Sequence, residues 1–206
     1  MSRPDLDSWL ERPAVRIQHR RETDVPAGEL WAAACSVRLS DTRALGRLVR
    51  MRIPGLPAEL SFDQMFRSPP FNVLEESEHA LLSGLVGRIW TLRRDYPILR
   101  DPAEFRAWSA RGTVRVLFAN WVEPAPERAV EPAVEPAPER GAILVSETRV
   151  SAVDRRGRIG LAAVRPLIAS SHQLISREAI NAAVRAAYAK PGSPSASRRR
   201  SRGATR

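Results

Sequence analysis

The feature that most restricts the fold is a long helical stretch near the end of the sequence. From Asp154, which can cap a helix, to about Lys190 the apolar residues recur with a helical period. Leu161, Val164, Ile168 and Ile175 share one face. Ile180, Val184 and Tyr188 share another, about a quarter turn away on the ~3.6-residue period. Pro166 and the Ser170-Ser171 pair precede this change of phase, and Ser176 can cap a new start, so a kinked or broken helix is expected. A sheet rich in apolar positions must cover a face, and this terminal helix is the element long enough to lie across one.

The upstream pattern supplies that sheet. Residues 15–20 alternate apolar and polar side chains, as a half-exposed strand does. Asp24, near the cap, and Pro26, in the first turn, then open a helix that carries Leu30, Trp31, Ala34 and Cys35 inward. Ser40-Asp41-Thr42 caps a second helix bearing Leu45, Leu48 and Val49, ended by Ile53-Pro54-Gly55, and residues 60–67 form a short helical segment. After Pro69-Pro70 the pattern turns to strands over 71–75, 80–83 and 85–92, with Gly84 and Gly87 marking a bulge or a close backbone approach. A connection with a short helix over 102–108 leads to strands at 113–121 and 142–152. The order is one strand, two short helices, several antiparallel strands and a long C-terminal helix, which is an α+β architecture. Residues 1–13 read as a polar arm with a turn around Trp9, residues 14–190 as one domain, and residues 191–206 as a disordered Arg-rich tail.

With 206 residues, 43% hydrophobic and 27% charged, the chain has ordinary globular composition. No apolar run reaches the ~18 residues of a membrane span, and Met1-Ser2-Arg3-Pro4-Asp5 leads into no apolar signal region. The net charge is +10, and every basic residue except Lys190 is Arg, a choice read most simply as coding bias. A weak contact with nucleic acid or an anionic membrane is expected through 191–206, although no nucleic-acid motif accompanies the charge. Val122–Arg128 recurs twelve residues later as Val134–Arg140. Its Glu-Pro units cannot pair in a sheet, so 122–140 read as an inserted surface loop. Cys35 is the sole cysteine, a buried and inert thiol, and a reducing cytoplasmic location is expected.

Several local words point further. Pro70-Phe71-Asn72-Val73-Leu74-Glu75-Glu76 and Gly84-Leu85-Val86-Gly87-Arg88-Ile89-Trp90 are followed by Phe105-Arg106-Ala107-Trp108, Ser146-Glu147-Thr148-Arg149-Val150 and Leu174-Ile175-Ser176-Arg177-Glu178-Ala179-Ile180. In this order they resemble a bacterial group of the START-like, or SRPBCC, superfamily, which includes polyketide cyclases and shares its helix-grip fold with the birch-pollen allergen Bet v 1. The resemblance spans residues 15–188. It implies a curved antiparallel sheet wrapped around the terminal helix, and a mostly apolar cavity between them that holds a lipid, a polyketide or another hydrophobic small molecule.

In that frame Phe71, Trp90, Trp108, Phe118 and Trp121 are candidate cavity walls, although strict alternation sends Phe118 and Trp121 to opposite sides of their strand. Glu147 and Arg149 project from one face, shared with Ile143 and Val145. There they orient a polar ligand group, or form a surface ion pair or a cross-strand pair with Arg115. His172 falls near the face of Leu161, Ile168 and Ile175. His19 and His79 show no metal spacing, and Gly84–Gly87 lies in a strand rather than before a helix, so neither a metal nor a cofactor is expected. The leading expectation is hydrophobic-ligand binding without catalysis. One alternative is a cyclase or dehydratase in which Glu147, with His172 or Arg149, works as general base inside the cavity. The other is a basic accessory protein that binds RNA or anionic membrane through its Arg tail.

Overall fold

The computed structural model describes residues 3–52, 55–91, 96–126 and 141–189, with side chains described throughout these except at 52 and 167–177. The strands are β1 (Val15–Thr23), β2 (Asn72–Ser77), β3 (Ala80–Gly87), β4 (Val114–Pro124) and β5 (Ala142–Ala152). All neighbours are antiparallel, and the open sheet has the order β1-β5-β4-β3-β2. The first strand therefore pairs with the last, from Val15 opposite Val150 to Thr23 opposite Ala142. Between β1 and β2 lie α1 (Ala27–Ser36), α2 (Ala44–Arg52) and α3 (Phe62–Phe66); α4 (Pro102–Ala107) precedes β4, and α5 (Arg155–Ala189) follows β5. Among the described residues no helix is long and apolar enough to cross a membrane.

Local chemistry explains most element ends. Ser61 and Gln64 form a capping box on α3, and Asp101 caps α4 with Pro102 in its first turn. Asp154 caps α5 as expected. Its Oδ1 accepts from Gly157 N at 2.8 Å and from Gly112 N at 3.1 Å, and these backbone N–H groups, Gly157 first, hold its carboxyl below the usual range. Other expectations are corrected. Pro26 itself, rather than Asp24, occupies the cap position of α1. Asp41 accepts from Arg38 N and closes a single 3-10 turn at 39–41. The start of α2 is capped instead by Glu178 of α5, which accepts from Ala44 N at 2.9 Å and Leu45 N at 3.0 Å and places a carboxylate at the positive end of the helix. The two segments expected at 80–83 and 85–92 are one strand, ending at Gly87 in a left-handed conformation (φ 137°). β4 runs on to Pro124, so the loop starts later than 122; residues 127–140 of the repeat and the tail lie outside the described residues.

No break interrupts α5, which continues through Pro166 as one 35-residue helix. Its two apolar phases serve two separate supports. Near its start Gly160 passes directly against the Trp90 ring, where a Cβ would stand 2.2 Å from the indole, and Leu161 is buried beside it. Near its end Ile180, Ala183 and Ala187 pack with Leu30 and Ala33 of α1 and with Val122, Ala142 and Leu144 of the sheet. Packing at both ends holds the helix across the one backbone donor that Pro166 lacks.

Both faces of the sheet are covered. On one, Leu82, Val86, Leu117, Ala119, Trp121, Ile143 and Val145 pack beneath Leu6, Trp9 and Leu10 of the N-terminal arm and Phe105 of α4. Trp9 is fixed from several directions. Its Nε1 donates to Glu75 Oε2 at 3.0 Å, Phe105 meets it edge-on at 6.3 Å between centroids, and the Arg106 guanidinium lies 3.7 Å above its ring. Helices α1, α2, α3 and α5 cover the other face. Gly84 permits the close contact with α4, since a Cβ there would stand 2.7 Å from the buried Phe105 ring and 2.9 Å from Leu74. Gly84→Ala is therefore expected to destabilise the fold by about 1–3 kcal/mol in chemical denaturation, with partial recovery when Phe105→Leu is added. An unchanged midpoint would contradict this packing.

Candidate functional site: a cavity between sheet and helices

Alternation along β4 and β5 decides what the helix-covered face presents. Phe118 and Asn120 of β4, and Leu144, Ser146 and Thr148 of β5, project to the same side, with Leu81 and Leu85 of β3 beside them. Among the described residues, the helices do not fill the space above these side chains. A cavity of about 340 Å³ remains, within the size range of small-molecule pockets. Trp31, Ala34 and Cys35 of α1 wall it on one side, and Leu45, Leu48 and Val49 of α2 on another. Met65 and Phe66 of α3 and Ala179, Ile180 and Ala183 of α5 complete the helical wall. Phe66, Phe71 and Phe118 form an aromatic cluster with centroids 5.2 to 5.5 Å apart. The lining is thus mostly apolar with a few polar groups, the usual make-up of a small-molecule site.

α3 is fixed to the sheet edge by Arg67. Its Nε donates to Asp63 Oδ2 at 2.9 Å, and its Nη1 and Nη2 donate to Glu76 at 2.8 Å each. Asp63 also borders the cavity beside Cys35. Burial, with the Asp63 carboxylate adding to it, pushes the Cys35 thiol up to about 11. The thiol is protonated near neutral pH, which agrees with an unreactive side chain rather than a nucleophile.

Among the residues singled out from the sequence, Phe71 and Phe118 line the cavity. The others occupy different places. Trp90 packs against Gly160 of α5, in the cluster that includes Leu161, and is not part of the lining. Trp108 lies on the opposite face, where its Nε1 donates to Thr113 Oγ1 at 3.0 Å. Trp121 is buried on that face too, as alternation from Phe118 requires. The side chain of His172 lies outside the described residues. No cluster of potential metal ligands occurs among the described residues.

The largest correction concerns Glu147 and Arg149. They do share a face, but it is the one under the arm, so they do not line the cavity. Glu147 is 1% exposed and Arg149 3%. Arg149 Nε donates to Glu147 Oε1 at 2.6 Å, and its Nη1 donates to Leu10 O at 2.9 Å and to Asp7 Oδ1. Arg16 and Gln18 of β1, in register with Arg149 and Glu147, donate to Glu147 at 3.2 and 3.0 Å. Burial opposes the charge of Arg149, but its hydrogen bonds to Glu147 and Asp7 outweigh it and hold the guanidinium above its ordinary range. Arg149 in turn holds Asp7 below the usual carboxylate range. The expected partner Arg115 takes no part; its Nη1 donates to Arg106 O. The group is an ion-pair latch that fastens the arm to the sheet.

The rest of the lining lies outside the residues singled out from the sequence, and it includes three polar ones on the strands, Asn120, Ser146 and Thr148. The available signal was their position. Each is a polar side chain, placed in phase with Phe118 or Leu144, on strands that read as buried on both faces.

Replacing one member of a buried charge pair leaves the other uncompensated, which costs about 3–5 kcal/mol. Glu147→Gln is accordingly expected to lower unfolding free energy by about 3 kcal/mol while leaving dye binding in the cavity within twofold of wild type. Lost dye binding at retained stability would contradict a purely structural Glu147. Compared with known proteins, the chain matches no family model, no curated protein and no solved structure.

Proposed function

We propose that the protein binds a hydrophobic small molecule in the cavity between the sheet and the helices, and that its architecture is a reduced form of the START-like helix-grip, with the sheet curved around α5. One observation carries this reading: a mostly apolar space of about 340 Å³ bounded by both layers. Apolar side chains that face such a space lack packing partners on that side. Binding supplies those partners and removes ligand surface from water, at about 25 cal/mol per Å² before association costs. The strand order supports the helix-grip part. The first strand pairs with the last, the short helices are inserted directly after it, and the long helix contributes Ala179, Ile180 and Ala183 to the wall.

Binding without catalysis fits the lining better than a cyclase. The proposed general base, Glu147, is held by Arg149, Arg16 and Gln18 on the far side of the sheet. Within the cavity the Cys35 thiol is pushed up to about 11, and Asp63 is tied through Oδ2 to Arg67, although its buried Oδ1 has no partner among the described residues.

The test is native mass spectrometry of protein purified from its own host, paired with binding of the neutral dye N-phenyl-1-naphthylamine. Ala179, half-buried in the cavity wall, gives the blocking variant. A retained apolar adduct and dye binding are expected, with Ala179→Trp weakening dye binding at least tenfold and leaving the unfolding midpoint near wild type. No adduct and no dye binding in the wild-type protein would overturn the reading.

A further inference from the structure

The polar residues of the cavity floor specify what kind of hydrophobic molecule belongs there. Asn120 and Ser146 stand directly opposite each other across β4 and β5. Thr148 follows two residues along β5 on the same face, roughly 7 Å away at strand rise. Their neighbours in register are Leu81 opposite Asn120 and Phe118 opposite Thr148, both apolar, and His19 of β1 opposite Ser146, which is not part of the lining. The three side chains therefore make a short polar strip inside an apolar wall. None of them has a hydrogen-bond partner among the described residues, and none of their polar atoms is sealed from the cavity space.

Such groups must be satisfied by something in the cavity. With no ligand bound, water serves. A plain hydrocarbon entering the cavity strips that water and leaves the amide and both hydroxyls unpaired, a loss of roughly fivefold or more in affinity for each bond not remade. A ligand with oxygen atoms at matching positions remakes them. Amide and hydroxyl groups each donate and accept, so they suit both hydroxyls and carbonyls. Asp63 borders the cavity as well, an acid whose buried Oδ1 has no hydrogen-bond partner among the described residues, so a ligand carboxylate beside it meets like charge.

Resting on the reading of the cavity as a ligand site, we propose that its ligand is a neutral, oxygenated hydrophobe whose hydroxyl or carbonyl groups lie on Asn120, Ser146 and Thr148. Unsubstituted hydrocarbon chains and carboxylates are the classes it rejects.

Three probes with one ring frame test this: anthracene, 9,10-anthraquinone and anthraquinone-2-carboxylate, each displacing N-phenyl-1-naphthylamine. They are compared on wild type and on the Asn120→Leu/Ser146→Ala/Thr148→Val variant. The expected readout is the ratio of displacing concentrations, anthracene over anthraquinone, falling at least tenfold from wild type to variant, with the carboxylate at least tenfold weaker than anthraquinone on wild type. Should the triple variant not fold, Ser146→Ala alone is expected to shift the ratio about threefold in the same direction. A ratio changed less than twofold, or a carboxylate as potent as anthraquinone, overturns the proposal while leaving the cavity as a hydrophobic site. Absence of all dye and probe binding overturns the cavity reading itself.

Discussion

A charge is not buried alone without a large cost, and β5 buries two. Glu147 and Arg149 neutralise each other across 2.6 Å, and the rest of their hydrogen-bonding capacity goes to Arg16 and Gln18 on β1 and to Asp7 and Leu10 on the arm. The pair thereby requires both neighbours. It pins the first strand beside the last and draws the arm down over one face of the sheet, where Leu6, Trp9 and Leu10 complete the core. Strand alternation then leaves no choice for the other side. Leu144, Ser146 and Thr148 face the helices, and that is where the open space lies.

The second condition for a cavity is that the helices be held in place without collapsing onto the sheet. α5 rests on two supports, the Trp90 contact near Gly160 and the alanine-rich contact with α1 near Ala183 and Ala187. Between the helices, Glu178 ties α5 to the start of α2 through two backbone hydrogen bonds, and Arg67 ties α3 to the sheet edge. These contacts fix the helices that wall the space. The cavity is a consequence of how its walls are fastened.

Much of this was legible in the sequence where the signal is local. Alternation separated Phe118 from Trp121 and grouped Glu147 and Arg149 with Ile143 and Val145. Asp154 and the 142–152 strand were read correctly from cap chemistry and pattern. What could not be read was which face of β5 is hollow, because the strand is apolar on both sides and the deciding element is remote. The arm carries few apolar residues and reads as polar, yet Leu6, Trp9 and Leu10 are all buried. The cap of α2 comes from a residue 134 positions away, beyond any local pattern. Aromatic identity misled at Trp90 and Trp108, since a large ring packs a core as readily as it lines a pocket. The polar strip is three residues among many apolar ones on strands that read as buried on both faces, and only the remote helices show which of those faces is lined by it.

Xenon locates the hollow without any assumption about the natural ligand, since it enters apolar cavities. In a crystal held under xenon pressure, the account predicts xenon density among Phe118, Leu144 and Ala183, beneath α5. A xenon-free map with side chains from the helices touching the β4 and β5 floor throughout that space would contradict it.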